Sequence, residues 1–190
     1  KIVGTDRVVP FRSVAEKAAG ESNVAFDEKE TFAPEEATYP NGTHVCELEI
    51  DMATGEIELV DYTVVDDFGR VINPLLLEGQ VHGGIAQGLG QAILESCQYE
   101  SGSGQLLSAS FMDYTMPRAD DFPAIRFKRN EVPCETNPLG IKGAGEAGAI
   151  GAPPAIVNAI VNALSDHGIR HVDMPVSPNK VWNILQNVSA

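Results

Sequence analysis

The residues with the clearest capacity for chemistry lie in Asn137-Pro138-Leu139-Gly140-Ile141-Lys142-Gly143-Ala144-Gly145-Glu146-Ala147-Gly148-Ala149-Ile150-Gly151-Ala152-Pro153-Pro154. Five glycines fall between Gly140 and Gly151, and one carboxylate, Glu146, stands near their middle. Glycine admits positive φ and lets a second backbone or a ligand come close. Such a loop can hold its acid on the floor of a pocket with no neighbouring side chains in the way. Pro153-Pro154 ahead of Ala155-Ile156-Val157 predicts the first turn of a helix, where a missing N–H costs nothing. A glycine loop feeding a helix start suits an anionic cofactor. A flexible linker is the plain alternative, disfavoured because linkers are polar and this loop sets Ala, Ile and Gly around one acid.

Gly143-Ala144-Gly145-Glu146-Ala147-Gly148 also fits the G-x-G-x-x-G spacing of dinucleotide-binding folds, and that match is rejected. The fingerprint needs an apolar strand directly before it, whereas Thr136-Asn137-Pro138-Leu139-Gly140 precedes it here. A glutamate inside the turn would repel the pyrophosphate that the turn exists to bind.

The elements that must position this loop follow from hydrophobic patterning. Ser13-Val14-Ala15-Glu16 has capping-box spacing and predicts a short helix ended by Gly20. Val24 to Phe32 alternates weakly, as a strand would. His44 to Asp51 alternates apolar and polar residues, Ala53-Thr54-Gly55-Glu56 supplies a turn, and Ile57 to Val65 returns, so a hairpin is expected. Asp66-Asp67-Phe68-Gly69 contains a kinase-like D-F-G without the other kinase motifs, and reads as a solvated acid pair at a strand end. Asn73-Pro74 opens a helix over Leu75 to Ser96 with Val81, Ile85, Leu89 and Ile93 on the buried face. Its interior glycines, Gly83, Gly84, Gly88 and Gly90, together forfeit roughly 3–4 kcal/mol of helix propensity. Something must approach that face closely, either another helix or a ligand contacted by Gln80, Gln87 and Gln91; the pattern leaves both open. A turn at Ser101-Gly102-Ser103-Gly104 predicts a strand over Leu106 to Met112. Ala124 to Val132 reads as another strand, Pro153 to Leu164 as a helix stopped by Gly168, and Ile169 to Asp173 as a short β-like segment. Ser177-Pro178 is an N-cap followed by proline at the first helical position. Hairpins mixed with helices, without strict βαβ alternation, predict an α+β fold: a two-layer mixed or antiparallel sheet with helices packed on it.

The 190 residues, 43% of them apolar, suit a single domain over 1–190, with 1–36 as a loosely packed leading segment. The absence of an initiator Met before Lys1-Ile2-Val3-Gly4 reads as a fragment or a processed piece. No apolar run approaches a membrane span. A net charge of −14 excludes a role that tracks nucleic-acid phosphates. Cys46, Cys97 and Cys134 are odd in number and widely spaced, fitting neither a disulfide framework nor a zinc site, so reduced thiols in a cytoplasm are expected.

Two stretches together carry a resemblance: Gly79-Gln80-Val81-His82-Gly83-Gly84-Ile85-Ala86-Gln87-Gly88-Leu89-Gly90 and Asn137 to Glu146. They resemble the molybdenum-binding subunit of the xanthine dehydrogenase/aldehyde oxidase/aerobic carbon monoxide dehydrogenase family, C-terminal portion. Tyr39-Pro40-Asn41-Gly42-Thr43-His44, Asp66-Asp67, Val71-Ile72-Asn73-Pro74 and Ser110-Phe111-Met112-Asp113-Tyr114 add to it, closest to the carbon-monoxide-dehydrogenase-like large subunits. The likeness runs from about Ala37 to Gln186. It implies a molybdenum-dependent hydroxylase acting on an aldehyde, N-heterocycle or similar small substrate. Glu146 matches the glutamate that accepts a proton as general base, and Gln80 the glutamine near the metal and pterin. Lys142, Gly143, Ala144 and Gly145 match the cofactor-lining segment. The implied cofactor is molybdopterin, as the cytosine dinucleotide, with molybdenum; the pterin dithiolene ligates the metal, so no side chain of this chain is expected to. Implied partners are the remainder of the molybdenum subunit and iron–sulfur and FAD subunits or domains. Family subunits are several times longer, and their glycine-rich pterin loops and substrate-facing loop are not in this chain. Alone, the chain is therefore expected to lack the cofactor and activity. Carbon monoxide as substrate does not follow. Desolvation by the apolar loop would make Glu146 a better base, while the helix start and Lys142 favour its charged form; the sequence leaves the balance open. The competing reading is a non-catalytic assembly or binding module that keeps the fold. It expects the glycine face of the Gln80 helix to pack on protein and Glu146 to face solvent.

Overall fold

Alternation along His44–Asp51 and Ile57–Val65 produces the expected hairpin in the computed structural model, which describes residues 1, 3–20, 29–34 and 36–188. Strand β1 (Asn41–Ile50) pairs antiparallel with β2 (Ile57–Asp67). The register slips between Glu47 and Leu48, so Val60 is the extra residue of a bulge on β2. That slip changes the phase of alternation: Leu59 points inward before it, and Tyr62, Val64 and Asp66 point inward after it. Strand β3 (Ile125–Arg129) joins the far edge of β2 in parallel, giving the order β1-β2-β3. A parallel pair needs a crossover, and the chain between β2 and β3 supplies one through the next helix.

Two compact units divide the chain, Lys1–Glu35 and Glu36–Ala190. The first holds α1 (Phe11–Ala19), which starts two residues before the expected capping box. Ser13 lies inside this helix, and Glu16 pairs with Arg12 at 2.8 Å instead of capping the N-terminus. Of the alternation from Val24 to Phe32, the part up to 28 lies outside the described residues, and 29–32 is irregular.

In the second unit, helix α2 (Pro74–Leu89) opens on Asn73, whose side chain accepts from Leu76 N–H at 3.2 Å, and runs on as a π-helical turn, Gly90–Leu94. Val81, Ile85 and Leu89 are fully buried and Ile93 nearly so, as their spacing predicts. Helix α3 (Ala147–Ala163) begins six residues earlier than expected and carries Pro153 and Pro154 in its interior. A proline there forfeits about 3 kcal/mol or more of intrinsic helix stability. Packing against α2 offsets the loss. A Cβ on Gly148 would stand 2.5 Å from the Val81 carbonyl, one on Gly84 would stand 2.9 Å from Gly148 Cα, and one on Gly88 would meet the Pro153 ring at 2.8 Å. The glycine face of α2 is thus covered by another helix. Helix α4 (Pro178–Val188), with Ser177 accepting from Lys180 N–H at 3.3 Å, completes the layer. Val181 and Leu185 join Leu59, Tyr62, Val64, Ile156 and Ile160 in one core between helices and sheet. The other sheet face, with Val45, Glu47, Glu49 and Val65, is exposed.

Two expected strands do not form. Leu106–Met112 contributes a single bridge, Tyr99 to Leu106, and 169–173 pairs with nothing as a strand. No helix among the described residues is long and apolar enough to cross a membrane.

Candidate functional site

The segment from Asn137 to Glu146 is anchored from below by the Asp66-Asp67-Phe68-Gly69 corner. Gly69 and Ile141 form a bridge, Lys142 N–H donates to Phe68 O at 2.9 Å, and Arg70 N–H to Gly140 O at 2.8 Å. Gly69 has φ +64° and its α-carbon faces the Gly140 carbonyl, so a side chain there would be both strained and blocked. Asn137 clasps the other end: its amide donates to Ile141 O at 2.9 Å and accepts from Ile141 N–H at 3.1 Å.

Asp66 and Asp67, expected to be solvated, are 3% and 5% exposed. Asp67 accepts from Gly69 N–H at 2.8 Å, Val132 N–H at 3.0 Å and the Lys142 ammonium at 2.5 Å. Burial pushes its carboxyl upward, but these donors outweigh burial and hold it below the ordinary carboxylate range. Lys142 therefore spends its charge on Asp67, not on Glu146. For Asp66 burial dominates and pushes the carboxyl up to about 6. The strand period carried a signal for Asp66, since it lies four residues beyond the inward-facing Tyr62 and two beyond Val64.

Helix α3 makes Glu146 its N-terminal flanking residue, without a side-chain cap bond. Glu146 is exposed, as are Gly143 and Gly145, while Ala144 packs partly against the core. Gln80, exposed on the first half of α2, donates its amide to the Gly145 carbonyl at 2.7 Å. The two motif stretches thus meet through that bond, one residue before Glu146. Gly143 N–H donates to Thr38 Oγ1 at 3.2 Å. Beside them opens a cleft of about 380 Å³, with Asn41, His44, Asp66, Gly145, Glu146 and Ile150 among its walls. The sequence pattern does not single out His44 or Asp66 as site residues. The two structural features expected of an assembly module, a protein-covered glycine face and an exposed Glu146, are both present in this chain.

The molybdopterin cofactor-binding domain family matches residues 1–123, a span that holds Gln80 and ends before the Glu146 segment. The carbon monoxide dehydrogenase large chain of Hydrogenophaga pseudoflava is 35% identical over 155 residues, 82% of this chain and 19% of that one. The nicotine 6-hydroxylase large subunit of Paenarthrobacter nicotinovorans is 38% identical over 150 residues, 79% of this chain and 18% of that one. The crystal structure of the Cu,Mo-CO dehydrogenase matches with a TM-score of 0.80 at 32% identity, over 83% of this chain and 20% of that one. The chain spans about a fifth of the length of these relatives. It belongs to the family of molybdopterin cofactor-binding domains, alongside carbon monoxide dehydrogenase large chains and xanthine dehydrogenase molybdenum-binding subunits.

Proposed function

We propose that this chain supplies the general-base edge of a molybdenum hydroxylase site, with Glu146 as the base. The observation that supports it most directly is the Gln80 amide on the Gly145 carbonyl, which brings both motif stretches to the mouth of one cleft. The residues present suit the neutral polar edge of a pterin, while the Glu146 carboxylate at the helix end disfavours phosphate there. Gly143 and Gly145 offer exposed backbone without side chains, and pairing within α3 begins only with Ile150 N–H on Glu146 O at 2.9 Å. Gln80, Ala144 and the glycine backbone would hold the pterin, as the cytosine dinucleotide, while Lys142 keeps the segment on the sheet through Asp67. When bound, the molybdenum group supplies the oxidising power and the oxygen chemistry. Glu146 takes up a proton at its carboxylate, and the glycines leave that carboxylate unobstructed.

An aldehyde or N-heterocycle is the substrate class in this reading, in keeping with a relative named for nicotine 6-hydroxylation. The remainder of the subunit and iron–sulfur and FAD partners complete the enzyme, in a cytoplasm consistent with three free cysteines. The test is Glu146→Gln in the complete enzyme, read as turnover per molybdenum atom. General-base catalysis contributes about 10²–10⁴-fold, so turnover per metal should fall by at least that lower factor with cofactor content unchanged. Equal turnover per metal would remove Glu146 from the chemistry. The second reading, an assembly module, is favoured by the covered glycine face and the exposure of Glu146. Under it, Glu146→Gln leaves turnover unchanged and changes at Gly84 or Gly148 reduce subunit assembly.

A further inference from the structure

Beneath the Glu146 cleft lies a pair that the general-base reading leaves unused. His44 on β1 and Asp66 on β2 place Nε2 and Oδ1 3.7 Å apart, with side chains 8% and 3% exposed. His44 Nδ1 lies 2.8 Å from the Tyr62 hydroxyl. If that hydroxyl donates, a neutral imidazole carries its proton on Nε2, the nitrogen that faces Asp66. Two glycines make room for the pair. A Cβ on Gly42 would overlap the Asp66 carboxylate, and a Cβ on Gly151 would stand 2.5 Å from the His44 ring. The ring therefore fills the gap between β1 and α3, five residues along the chain from Glu146. Asp66 Oδ2 is buried with no hydrogen-bond partner among the described residues.

We infer that the His44–Asp66 pair, tied down by Tyr62, is a positioning unit that sets the spacing between β1 and α3 and with it the place of the Glu146 carboxylate over the cleft. The geometry makes the unit responsive to charge. Burial raises the Asp66 carboxyl to about 6 and lowers the His44 imidazole. Below about pH 6 Asp66 is a neutral acid in the gap, and burial disfavours a charge on the ring beside it. Ionising Asp66 puts a charge on a carboxylate whose Oδ2 has no partner, and the Nε2–H of His44 is the donor that faces its other oxygen. The ring is drawn toward it and α3 relaxes at Gly151. Other groups around Asp66 have their own engagements. Tyr62 is raised by burial and stays protonated. Lys142 holds Asp67. Arg129, opposite Asp66 in the β2–β3 register, lies 3.9 Å from Glu131. Glu146 shares the cleft.

The carboxyl carbon resonance of Glu146, followed by NMR in this chain from pH 4 to 8, reads the coupling directly. A step near pH 6 is expected, absent in Asp66→Asn. His44→Gln keeps a polar group toward Tyr62 and lets Asp66 still ionise, yet it removes the wedge, so the step should vanish there too. A step that survives His44→Gln would be through-space electrostatics alone and overturns the positioning role, as does a step unchanged by Asp66→Asn. Gly151→Ala crowds the ring without altering any charge and should displace the Glu146 resonance at pH 5; no displacement counts against the inference. In the complete enzyme, His44→Gln should lower turnover per molybdenum about 10-fold with metal content unchanged; unchanged turnover overturns the catalytic consequence. That arm rests on the general-base reading, whereas the NMR arm needs neither molybdenum nor turnover. Failure of one is thus distinguishable from failure of the other.

Discussion

Adjacent carboxylates on one strand end, Asp66 and Asp67, carry opposite electrostatics because Asp67 has the Lys142 ammonium and two backbone donors, while burial dominates at Asp66. Removing the Lys142 ammonium by Lys142→Met leaves Asp67 with its two backbone donors but an uncompensated charge. Breaking a buried pair costs about 3–5 kcal/mol, and the remaining donors bring the expected loss to the lower end, read by urea denaturation at pH 7. The pH signatures run in opposite directions. Asp67 is depressed, so its contribution is present above the ordinary carboxylate range and lost as pH falls through its folded value. Asp66 is raised, so its contribution is full below about pH 4 and lost as pH rises through about 6. Asp66→Asn should therefore flatten the fall in stability between those values, by at most about 3 kcal/mol; an unaltered slope would mean that Asp66 does not hold its proton. A bare acid pair beside a turn glycine gives no hint of this difference. The partner of Asp67 lies 75 residues away on the glycine segment, and only the fold brings it there.

Helices α2 and α3 meet through glycine on both sides, and their glycines separate into two classes. Gly84, Gly88 and Gly148 lie against the facing helix, whereas a Cβ on Gly79 or Gly83 would meet nothing within 4 Å. Alanine at Gly83 should therefore stabilise this chain by about 0.5–1 kcal/mol through helix propensity. At Gly84 the same change should destabilise it by about 1–3 kcal/mol through overpacking. Thermal unfolding of the two variants checks both signs; matching signs would mean that the helices are not in close contact. The spacing of Val81, Ile85, Leu89 and Ile93 made α2 legible in the sequence, and alternation did the same for the β1–β2 hairpin. The start of α3 was not legible. Gly148, Gly151, Pro153 and Pro154 all speak against helix locally, and the contact with α2 that overrides them is tertiary. The parallel seat of β3 was hidden for a related reason, since alternation marks a strand without naming its neighbour. Leu106 had a turn before it but found only one bridging partner.

At the scale of the whole molecule, the candidate site is one-sided. Glu146 was legible as a lone acid among glycines, and Gln80 through its motif, but the exposure of both shows that this chain alone does not enclose them. A molybdopterin dinucleotide exceeds what a 380 Å³ cleft can bury, and binding sites typically cover most of a ligand's surface. The chain spans about a fifth of the length of these relatives, and further surface is needed to close the cleft. Purified by itself, this chain should therefore contain no molybdenum and show no hydroxylase activity, measured by metal analysis and by turnover with aldehydes and N-heterocycles. Supplying that further surface from a relative's large chain should bring both together, because enclosure and cofactor retention have the same cause. Stoichiometric molybdenum with a pterin nucleotide in the isolated chain would show that the glycine segment and Gln80 suffice as a cage. Restored metal without turnover would instead separate cofactor retention from catalysis and favour the assembly-module reading.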